Sequence, residues 1–196
     1  MIETELGNLR RSHYSNELNA SMDGTQVTVM GWVLTVRGHG NISFATVRDK
    51  NGDLSIVAKK GDCPDEIREK ISSLKAHSSI GVIGTIKASE KAPSGFEIIP
   101  NELRVFSEVT TIPPFEPTAK TVKNIDTRLE VRPIDLRRDV LQHIFKTRSL
   151  VLKTIRDYFN DQNFVEINTP KMIATATEGG AALFPIFYYN KEAFLA

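Results

Sequence analysis

Apolar and polar residues alternate along the first half of the chain in short runs typical of β-strands. The clearest run spans residues 26–37, in which Val27, Val29, Gly31 and Val33 would lie on one face. Four further strands are predicted, over residues 42–48, 54–58, 79–88 and 96–106. The Asn–Gly pair at 51–52 is a hairpin signal between the second and third strands of the chain.

One helix interrupts this series of strands. It is predicted over about residues 64–74, with Pro64 in its first turn and Asp62 or Cys63 as its cap. Three strands, a helix and two strands is the order of the OB-fold, a five-stranded Greek-key barrel that commonly binds oligonucleotides on one face. An SH3-like or other small barrel is compatible with the same pattern, and a fold does not determine function.

The second half of the chain has a different pattern. Residues 110–123 are rich in proline and lack periodicity, which predicts a linker, and 126–138 form a basic connector. Residues 139–162 predict one long helix with Asp139 as its N-cap. Its apolar positions recur at helical spacing, which is typical of packing in a core or an interface: Leu141, Ile144, Phe145, Val151, Leu152, Ile155 and Phe159.

A strand-like segment then runs from Phe164 towards Thr169 and Pro170, and is followed by a Thr/Ala/Gly loop that holds one carboxylate, Glu178. Such a carboxylate suits an ammonium group or a metal-bound ligand, although an exposed loop acid is the simpler interpretation. The predicted organisation is a barrel domain over 1–108, a linker and hinge over 109–138, and the start of a second domain over 139–196.

Composition narrows the function only slightly. The 196 residues include 40% apolar and 25% charged residues, and the net charge of +1 indicates no global nucleic-acid footprint. Residues 118–156, however, contain ten Lys or Arg and four acids, which suits either phosphate attraction or a solvated linker and helix face. A single cysteine excludes an internal disulfide, and no apolar run approaches membrane-spanning length, so a cytoplasmic location without membrane contact is predicted.

Six residues of the predicted barrel could contact nucleic acid, since binding barrels stack bases on aromatic rings and bind phosphates with cations. Phe44 suits either a stacking platform or the core, Trp32 is predicted to lie in the core, and Glu97 could accept from a base edge or be merely solvated. The others are Arg37, His39 and Arg48. The four histidines and the cysteine are scattered, so no metal site is predicted.

Several stretches resemble the archaeal-type aspartyl-tRNA synthetases, which are class II ligases with an N-terminal OB-fold anticodon-binding domain. They are RSHYSNEL, GWVLTVRGHG, FATVRDKNG, KAPSGFEIIP, DTRLEVRPIDLRR, FVEINTPKMIATATEGG and ALFPIFYYNKEAFLA, and together they span nearly the whole chain. The resemblance implies a five-stranded OB-fold barrel, a hinge, and the incomplete start of a class II antiparallel-sheet catalytic domain. Within that start it implies motif 1 and the first substrate loop.

The resemblance also implies roles for individual residues. Phe44 matches the aromatic residue that stacks on an anticodon base, and Arg37 and Glu97 match residues close to the anticodon. Pro170 lies at the centre of motif 1, which builds the dimer interface, so a homodimer is implied for the complete enzyme. Glu178 matches the loop acid that closes over the amino group of bound L-aspartate, where an ammonium group needs a counter-charge.

Two positions bear on the choice of tRNA. Relaxed members of the family have proline in the loop before the last strand, as Pro93 is here, whereas strict members have lysine. Strict members have tryptophan where this chain has Leu34. The resemblance therefore implies a non-discriminating enzyme that charges both tRNA-Asp and tRNA-Asn. A family glutamine that reads the central anticodon base is replaced by Ser55, which puts the reading of that base in question.

The implied reaction is the ATP-dependent attachment of aspartate to tRNA, with Mg²⁺ as the usual cofactor. The arginines of motifs 2 and 3 have no match in this chain, so it is expected to contain no catalytic residues, to bind tRNA weakly and to catalyse nothing alone. Its region after about Asn163, including the apolar run 183–189, is predicted to be poorly packed or aggregation-prone because it lacks the sheet that it should join. Two alternatives stay open: a stand-alone tRNA-binding module, and a fragment of an asparaginyl-tRNA synthetase.

Overall fold

The chain folds as two units, Met1–Ile112 and Pro113–Ala196. The computed structural model describes residues 2–3, 5–174 and 184–195. Within these residues no helix is both long enough and apolar enough to cross a membrane.

The first unit is a ring of five strands with one helix. The elements are β1 (Ile2–Glu3), β2 (Gln26–His39), β3 (Ile42–Arg48), β4 (Asp53–Lys59), α1 (Asp65–Ser73), β5 (Ser79–Ala88) and β6 (Phe96–Ser107). Antiparallel pairs join β2 to β3 and β5, β3 to β4, and β5 to β6. A parallel contact between β4 and β6, at Ile56 and Ile98, closes the ring, and the short β1 adds to the outer edge of β6.

This ring confirms the predicted OB-fold. Two of the five predicted strands have the observed bounds, and the other three extend by one or two residues. The fold follows from the alternation, because Val27, Val29 and Val33 of β2 are all buried, as predicted for one face. Ile67 and Ile71 of α1 pack into the same core, and the burial of each such side chain contributes roughly 1.5–3 kcal/mol.

The start of α1 differs from the prediction. Pro64 is the N-cap rather than a residue of the first turn, and neither Asp62 nor Cys63 caps the helix. The amides of Asp62 and Cys63 both donate to the carbonyl of Lys59, which holds these two residues in a turn after β4. Asp65 and Glu66 instead place negative charge in the first turn, where it interacts favourably with the positive end of the helix dipole.

The segment before the barrel is ordered, although its sequence has no periodicity and predicted no element. It contains two 3₁₀ turns, Ser15–Glu17 and Ala20–Met22. Leu18 is buried in the barrel core, so this segment covers one part of the barrel.

The second unit consists of helices followed by a small sheet. Its elements are α2 (Ile125–Glu130), α3 (Arg132–Asp135), α4 (Asp139–Asp161), β7 (Met172–Ile173), β8 (Phe184–Tyr188) and β9 (Lys191–Leu195). The sheet is antiparallel with β9 in the centre. The predicted long helix is therefore present, whereas the basic connector contains two short helices that the sequence did not predict.

A buried carboxylate explains the short helices of the connector. Asp135 is fully buried and forms ion pairs with Arg128, Arg132 and Arg138, at 2.9 Å from the Nε of Arg128 and 3.9 Å from the Nη1 of Arg138. Burial alone would raise the pKa of Asp135, but the hydrogen bond and the charge of Arg128, followed by those of Arg132, hold this pKa below its usual value.

Two predictions for this unit are wrong. The N-cap of α4 is Arg138 rather than Asp139. The amide of Arg138 donates to the carbonyl of Asp135, which keeps Arg138 in the preceding turn. The stretch from Phe164 to Pro170 forms no strand, because no described strand pairs with it.

The apolar run near the end of the chain also differs from expectation. It was predicted to lack a sheet, yet its residues 184–188 form β8, because they pair with β9. The pairing leaves the apolar side chains in solvent: Phe184 is 73% exposed and Phe187 is 95% exposed.

Candidate nucleic-acid interface

The outer face of β2, β3 and β4 presents the ring of Phe44 beside the cation of Arg37, near the turn between β2 and β3. Phe44 pairs with Arg37 on β2 and with Val57 on β4. Its neighbours along the strand, Ser43 and Ala45, are buried, whereas Phe44 is 39% exposed. Because strand neighbours point to opposite faces, the ring of Phe44 stands on the outer surface, and its placement in the core is excluded.

A groove of about 490 Å³ surrounds this ring. Arg37 and His39 come from the end of β2, and Ser55 comes from β4. The full lining is Thr35, Arg37, Gly38, His39, Phe44, Ala45, Thr46, Ser55 and Ile56. The groove thus combines an exposed ring, an exposed guanidinium group and several hydroxyl groups. Proteins use these groups to stack on bases, bind phosphates and contact base edges of single-stranded nucleic acid.

A row of hydroxyl groups forms the floor beside the ring. Thr35 pairs with Thr46, which pairs with Ser55, and the Thr35 hydroxyl donates to Thr46 Oγ1 at 3.2 Å. Glu97 of β6 lies beside Ser55 of β4 and continues this row, because the residues that follow them, Ile98 and Ile56, are the parallel partners that close the barrel. Glu97 is partly exposed, so its carboxylate can accept hydrogen bonds at this edge.

The two positions that bear on tRNA choice lie outside the groove lining. Leu34 is the extra residue of a β-bulge, because the pairing of β2 with β3 shifts between Val33 and Thr35. Because a bulge changes the direction of the side chain at the extra residue, the direction of Leu34 does not follow from the alternation of β2. Pro93 is exposed in the loop between β5 and β6, where an amide hydrogen bond from Gly95 to Ala92 (2.9 Å) closes a tight turn.

Trp32 was predicted to lie in the core, and this prediction is wrong. It is 38% exposed, because it precedes the buried Val33 and so points to the opposite face of β2. Its cross-strand partner on β3 is Arg48, whose Nε and Nη2 donate to the two carboxylate oxygens of Asp53 at 2.6 and 2.9 Å.

Sequence reasoning missed Asp49, a buried carboxylate after β3. It accepts hydrogen bonds from the amides of Asn51 (2.7 Å) and Gly52 (3.1 Å), and from the amide and hydroxyl of Ser15 (both 2.7 Å). Burial would raise the pKa of Asp49, but the hydrogen bonds from Asn51, Ser15 and Gly52 outweigh it and lower this pKa. The Asp–Lys–Asn–Gly run signals such a turn, whereas nothing in the pattern indicates the contact with Ser15.

The remaining predicted residues belong to the second unit. Pro170 is exposed, and Glu178 lies outside the described residues. Of the basic residues in 118–156, three arginines are held by Asp135, and burial lowers the pKa of a fourth, Arg137. Part of that local positive charge therefore stabilises the connector.

Both units match known families. The profile of an OB-fold nucleic acid binding domain matches residues 27–106, and the profile of the class II tRNA synthetases (D, K and N) matches residues 124–196. The first match contains every groove residue, and the second contains Pro170 and Glu178.

Curated relatives match almost the whole chain. Aspartate–tRNA(Asp/Asn) ligase of Methanococcus aeolicus is 45% identical over 97% of the chain, and that of Methanocaldococcus jannaschii is 47% identical over 95%. The chain spans only 43% and 42% of the length of these two relatives.

Solved structures show the same architecture. Asparaginyl-tRNA synthetase of Pyrococcus horikoshii, complexed with asparaginyl-adenylate, has a TM-score of 0.85 at 29% identity, and covers 96% of this chain and 43% of its own. Aspartyl tRNA synthetase of Entamoeba histolytica has a TM-score of 0.74 at 25% identity, and covers 84% of this chain and 40% of its own.

Proposed function

Because this chain belongs to the archaeal-type aspartyl-tRNA synthetases of class II, we propose that its barrel binds the anticodon of tRNA and that the whole protein joins aspartate to tRNA with ATP. The observation that carries the proposal is the groove around Phe44. It brings Arg37 and Ser55 together with an exposed aromatic ring, on the face that OB-folds use for oligonucleotides. Arg37 would contact phosphate, Phe44 would stack on a base, and Ser55 and Glu97 would meet base edges.

The other substrates and the assembly are proposed from the family. Glu178 would hold the amino group of aspartate, and Pro170 would lie in the interface of a homodimer. Mg²⁺ would accompany ATP, as it does in most reactions at nucleotide phosphates. We expect a cytoplasmic location, since translation supplies the tRNA and consumes its charged form.

This chain alone is proposed to bind tRNA without activating aspartate, because it spans about two fifths of the length of the ligases that it matches. Exchange of labelled pyrophosphate into ATP in the presence of aspartate measures activation directly. We expect no exchange above background with this chain, and clear exchange with a relative of full length. Exchange by this chain would overturn the proposal.

We propose that the complete enzyme charges both tRNA-Asp and tRNA-Asn. The names of the curated relatives include both tRNAs, and the loop residue Pro93 offers no hydrogen-bond donor to a base. An asparaginyl-tRNA synthetase is the second candidate, favoured by the P. horikoshii structure, but the identity of 29% to that protein is well below the 45–47% to the aspartate ligases.

The test of tRNA choice adds the groups that strict members have. The double variant Pro93→Lys, Leu34→Trp should raise the ratio of affinities for tRNA-Asp over tRNA-Asn about tenfold, since one good base contact discriminates by roughly 1–3 kcal/mol. Ser94→Lys adds the same charge at the next, exposed position of the loop and should leave the ratio unchanged. An unchanged ratio in the double variant would mean that these positions do not select the tRNA.

The test of the groove measures the affinity of the chain for a fluorescent tRNA-Asp transcript. Phe44→Ala should weaken binding by at least about fivefold, because stacking contributes roughly 1–3 kcal/mol per base. Phe44→Trp keeps a ring and should retain binding. Tyr158→Ala removes an exposed aromatic residue (61%) of the second unit and serves as the matched control. Unchanged binding by a folded Phe44→Ala variant would exclude the groove.

A further inference from the structure

A second exposed aromatic side chain stands on the outer barrel face beyond the groove. Trp32 is as exposed as Phe44, at 38% compared with 39%, and it pairs with Arg48 across β2 and β3. Arg48 follows Phe44 by four residues on β3, so about 13 Å separates the two rows at roughly 3.3 Å per residue. The Thr35–Thr46 pair lies between these rows, which makes the polar surface continuous.

The acid in the Trp32 row is neutralised within the row. The guanidinium group of Arg48 binds both carboxylate oxygens of Asp53, which fixes its plane and balances the charge of Asp53. This row therefore does not repel a phosphate group, although it contains a carboxylate.

Two cations gather around one ring immediately beyond this row. Lys50 lies in the turn between β3 and β4, and its ammonium nitrogen is 4.1 Å from the centroid of the Tyr14 ring. The guanidinium carbon of Arg11 is 4.4 Å from the same centroid. Contacts at these distances are cation–π interactions, which orient both charges. Lys50 is exposed, whereas the side chain of Arg11 is only 24% exposed.

The N-terminal segment is anchored so that these cations keep their positions. Arg11 Nη1 donates to the carbonyl of Met30 at 2.7 Å and lies 3.8 Å from the Asp49 carboxylate. Ser15 donates twice to the same carboxylate, which links the segment to the turn that carries Lys50. Rigid placement of this kind is what a binding site requires.

We propose that Trp32, Lys50, Arg11 and Tyr14, here named the turn-end patch, form a second contact with the tRNA whose anticodon occupies the groove. Trp32 stacks on a nucleotide, Lys50 binds a backbone phosphate, and the ring of Tyr14, which Arg11 also contacts, orients Lys50. The occupant follows from the continuity of the outer face with the groove and from the pairing of cations with an exposed aromatic ring. Because the separation from Phe44 exceeds the rise of about 3.4 Å between stacked bases, the two rings serve different nucleotides.

This inference rests on the proposed function, and the salt dependence of tRNA binding tests it separately. The affinity of the whole chain for a labelled tRNA-Asp transcript is measured between about 50 and 200 mM KCl. Loss of one phosphate contact lowers the slope of log Kd against log [KCl] by about 0.7–0.9. We expect this decrease for Lys50→Ala, no decrease for Lys50→Arg, and no decrease for Lys75→Ala, which removes an exposed lysine after α1.

Trp32→Ala should raise Kd by at least about fivefold with the slope unchanged, since stacking involves no counterion. Trp32→Phe keeps an aromatic ring, so it should retain most of the affinity even if the indole group also contributes to packing. Normal slope in Lys50→Ala together with normal Kd in a folded Trp32→Ala variant would overturn the patch. If Phe44→Ala still weakens binding in that case, the proposed function stands; if it does not, both fail.

Discussion

The two units of this chain show the same kind of apolar periodicity with opposite outcomes. In the barrel the alternating residues are buried, and Ile56 and Ile98 at its closure are 0% exposed. In α4 the apolar residues also recur at helical spacing, yet none of its residues is buried. Periodicity therefore predicts which element forms, whereas burial depends on whether the chain supplies a surface for that element to cover.

The contrast extends through the second unit. Among its described residues only three are buried, namely Pro117, Asp135 and Ala193. Val140 and Leu150 of α4 are 64% and 62% exposed. Apolar surface of this extent is typical of an interaction site or of an aggregation-prone surface. The hydrophobic contribution to stability thus lies almost entirely in the barrel, and substitutions in both units test this conclusion.

The largest effect is expected from a cavity at the barrel closure. Ile98→Ala should lower the free energy of unfolding by about 2–5 kcal/mol, because the side chain is fully buried beside Ile56. The chain has one tryptophan, Trp32, which lies on the barrel, so its fluorescence during urea unfolding reports on this unit.

Ile155→Ala is the matched substitution in the second unit. Ile155 is 49% exposed on α4, and alanine favours a helix, so the change should stay within about 0.5 kcal/mol. Equal losses at the two isoleucines would contradict the contrast between the units.

The next effect concerns the buried carboxylate of Asp49. Asp49→Asn should cost about 1.5–3 kcal/mol at neutral pH, the usual contribution of hydrogen bonds to a charged group. Because the folded-state pKa lies below the unfolded value of about 3.9, this stability is present above that value and is lost as the pH falls through the folded pKa. The wild-type and variant curves of unfolding free energy against pH should therefore converge in acid.

Asp135 provides the control for this titration. Its pKa is also lowered, but its partners are the arginines of the connector. Asp135→Asn should leave the unfolding of the barrel, followed by Trp32 fluorescence, unchanged at every pH. A constant difference between wild type and Asp49→Asn down to low pH would refute the assignment of the titration to Asp49.

The barrel was predictable from sequence because its signals are local. Alternation identifies each strand, and the bounds of β3 and β5 agree with the prediction. The direction of Trp32 was mispredicted because an aromatic residue between apolar neighbours suggests a core, although the phase set by Val33 places it outside. The bulge at Leu34 and the exposure of the apolar residues of α4 depend on contacts between distant parts of the chain, about which periodicity carries no information.

The candidate site was predictable in part. Phe44, Arg37 and Ser55 were singled out separately, and it is the pairing of three strands that collects them in one groove. Asp49 was missed because Ser15, which donates to it, lies 34 residues away in the sequence. The contact of Lys50 with Tyr14 was missed for the same reason, since the two residues come from different segments of the chain.

A smaller effect is expected where strands pack closely. A Cβ atom on Gly31 would lie 2.4 Å from the carbonyl oxygen of Arg48 and 2.8 Å from Val47 Cγ1, so Gly31→Ala should cost about 1–3 kcal/mol. Gly38 lies on the same strand with nothing within 4 Å of its Cβ position, and Gly38→Ala should be neutral or stabilising. Thermal unfolding followed by Trp32 fluorescence distinguishes the two variants, and a similar cost at both positions would mean that strand propensity rather than contact controls the effect.

The smallest effect on stability is expected in the terminal sheet, where solubility should change instead. Phe187 is 95% exposed on β8, opposite Glu192, so Phe187→Thr removes apolar surface while keeping a residue suited to strands. The free energy of barrel unfolding should stay within about 0.5 kcal/mol of wild type. Light scattering against protein concentration should show less self-association in the variant, because the exposed ring offers apolar surface to other molecules. A wild-type chain that stays monomeric at high concentration and resists protease throughout the second unit would contradict this expectation, and would mean that the exposed side chains of α4 and β8 are covered in solution.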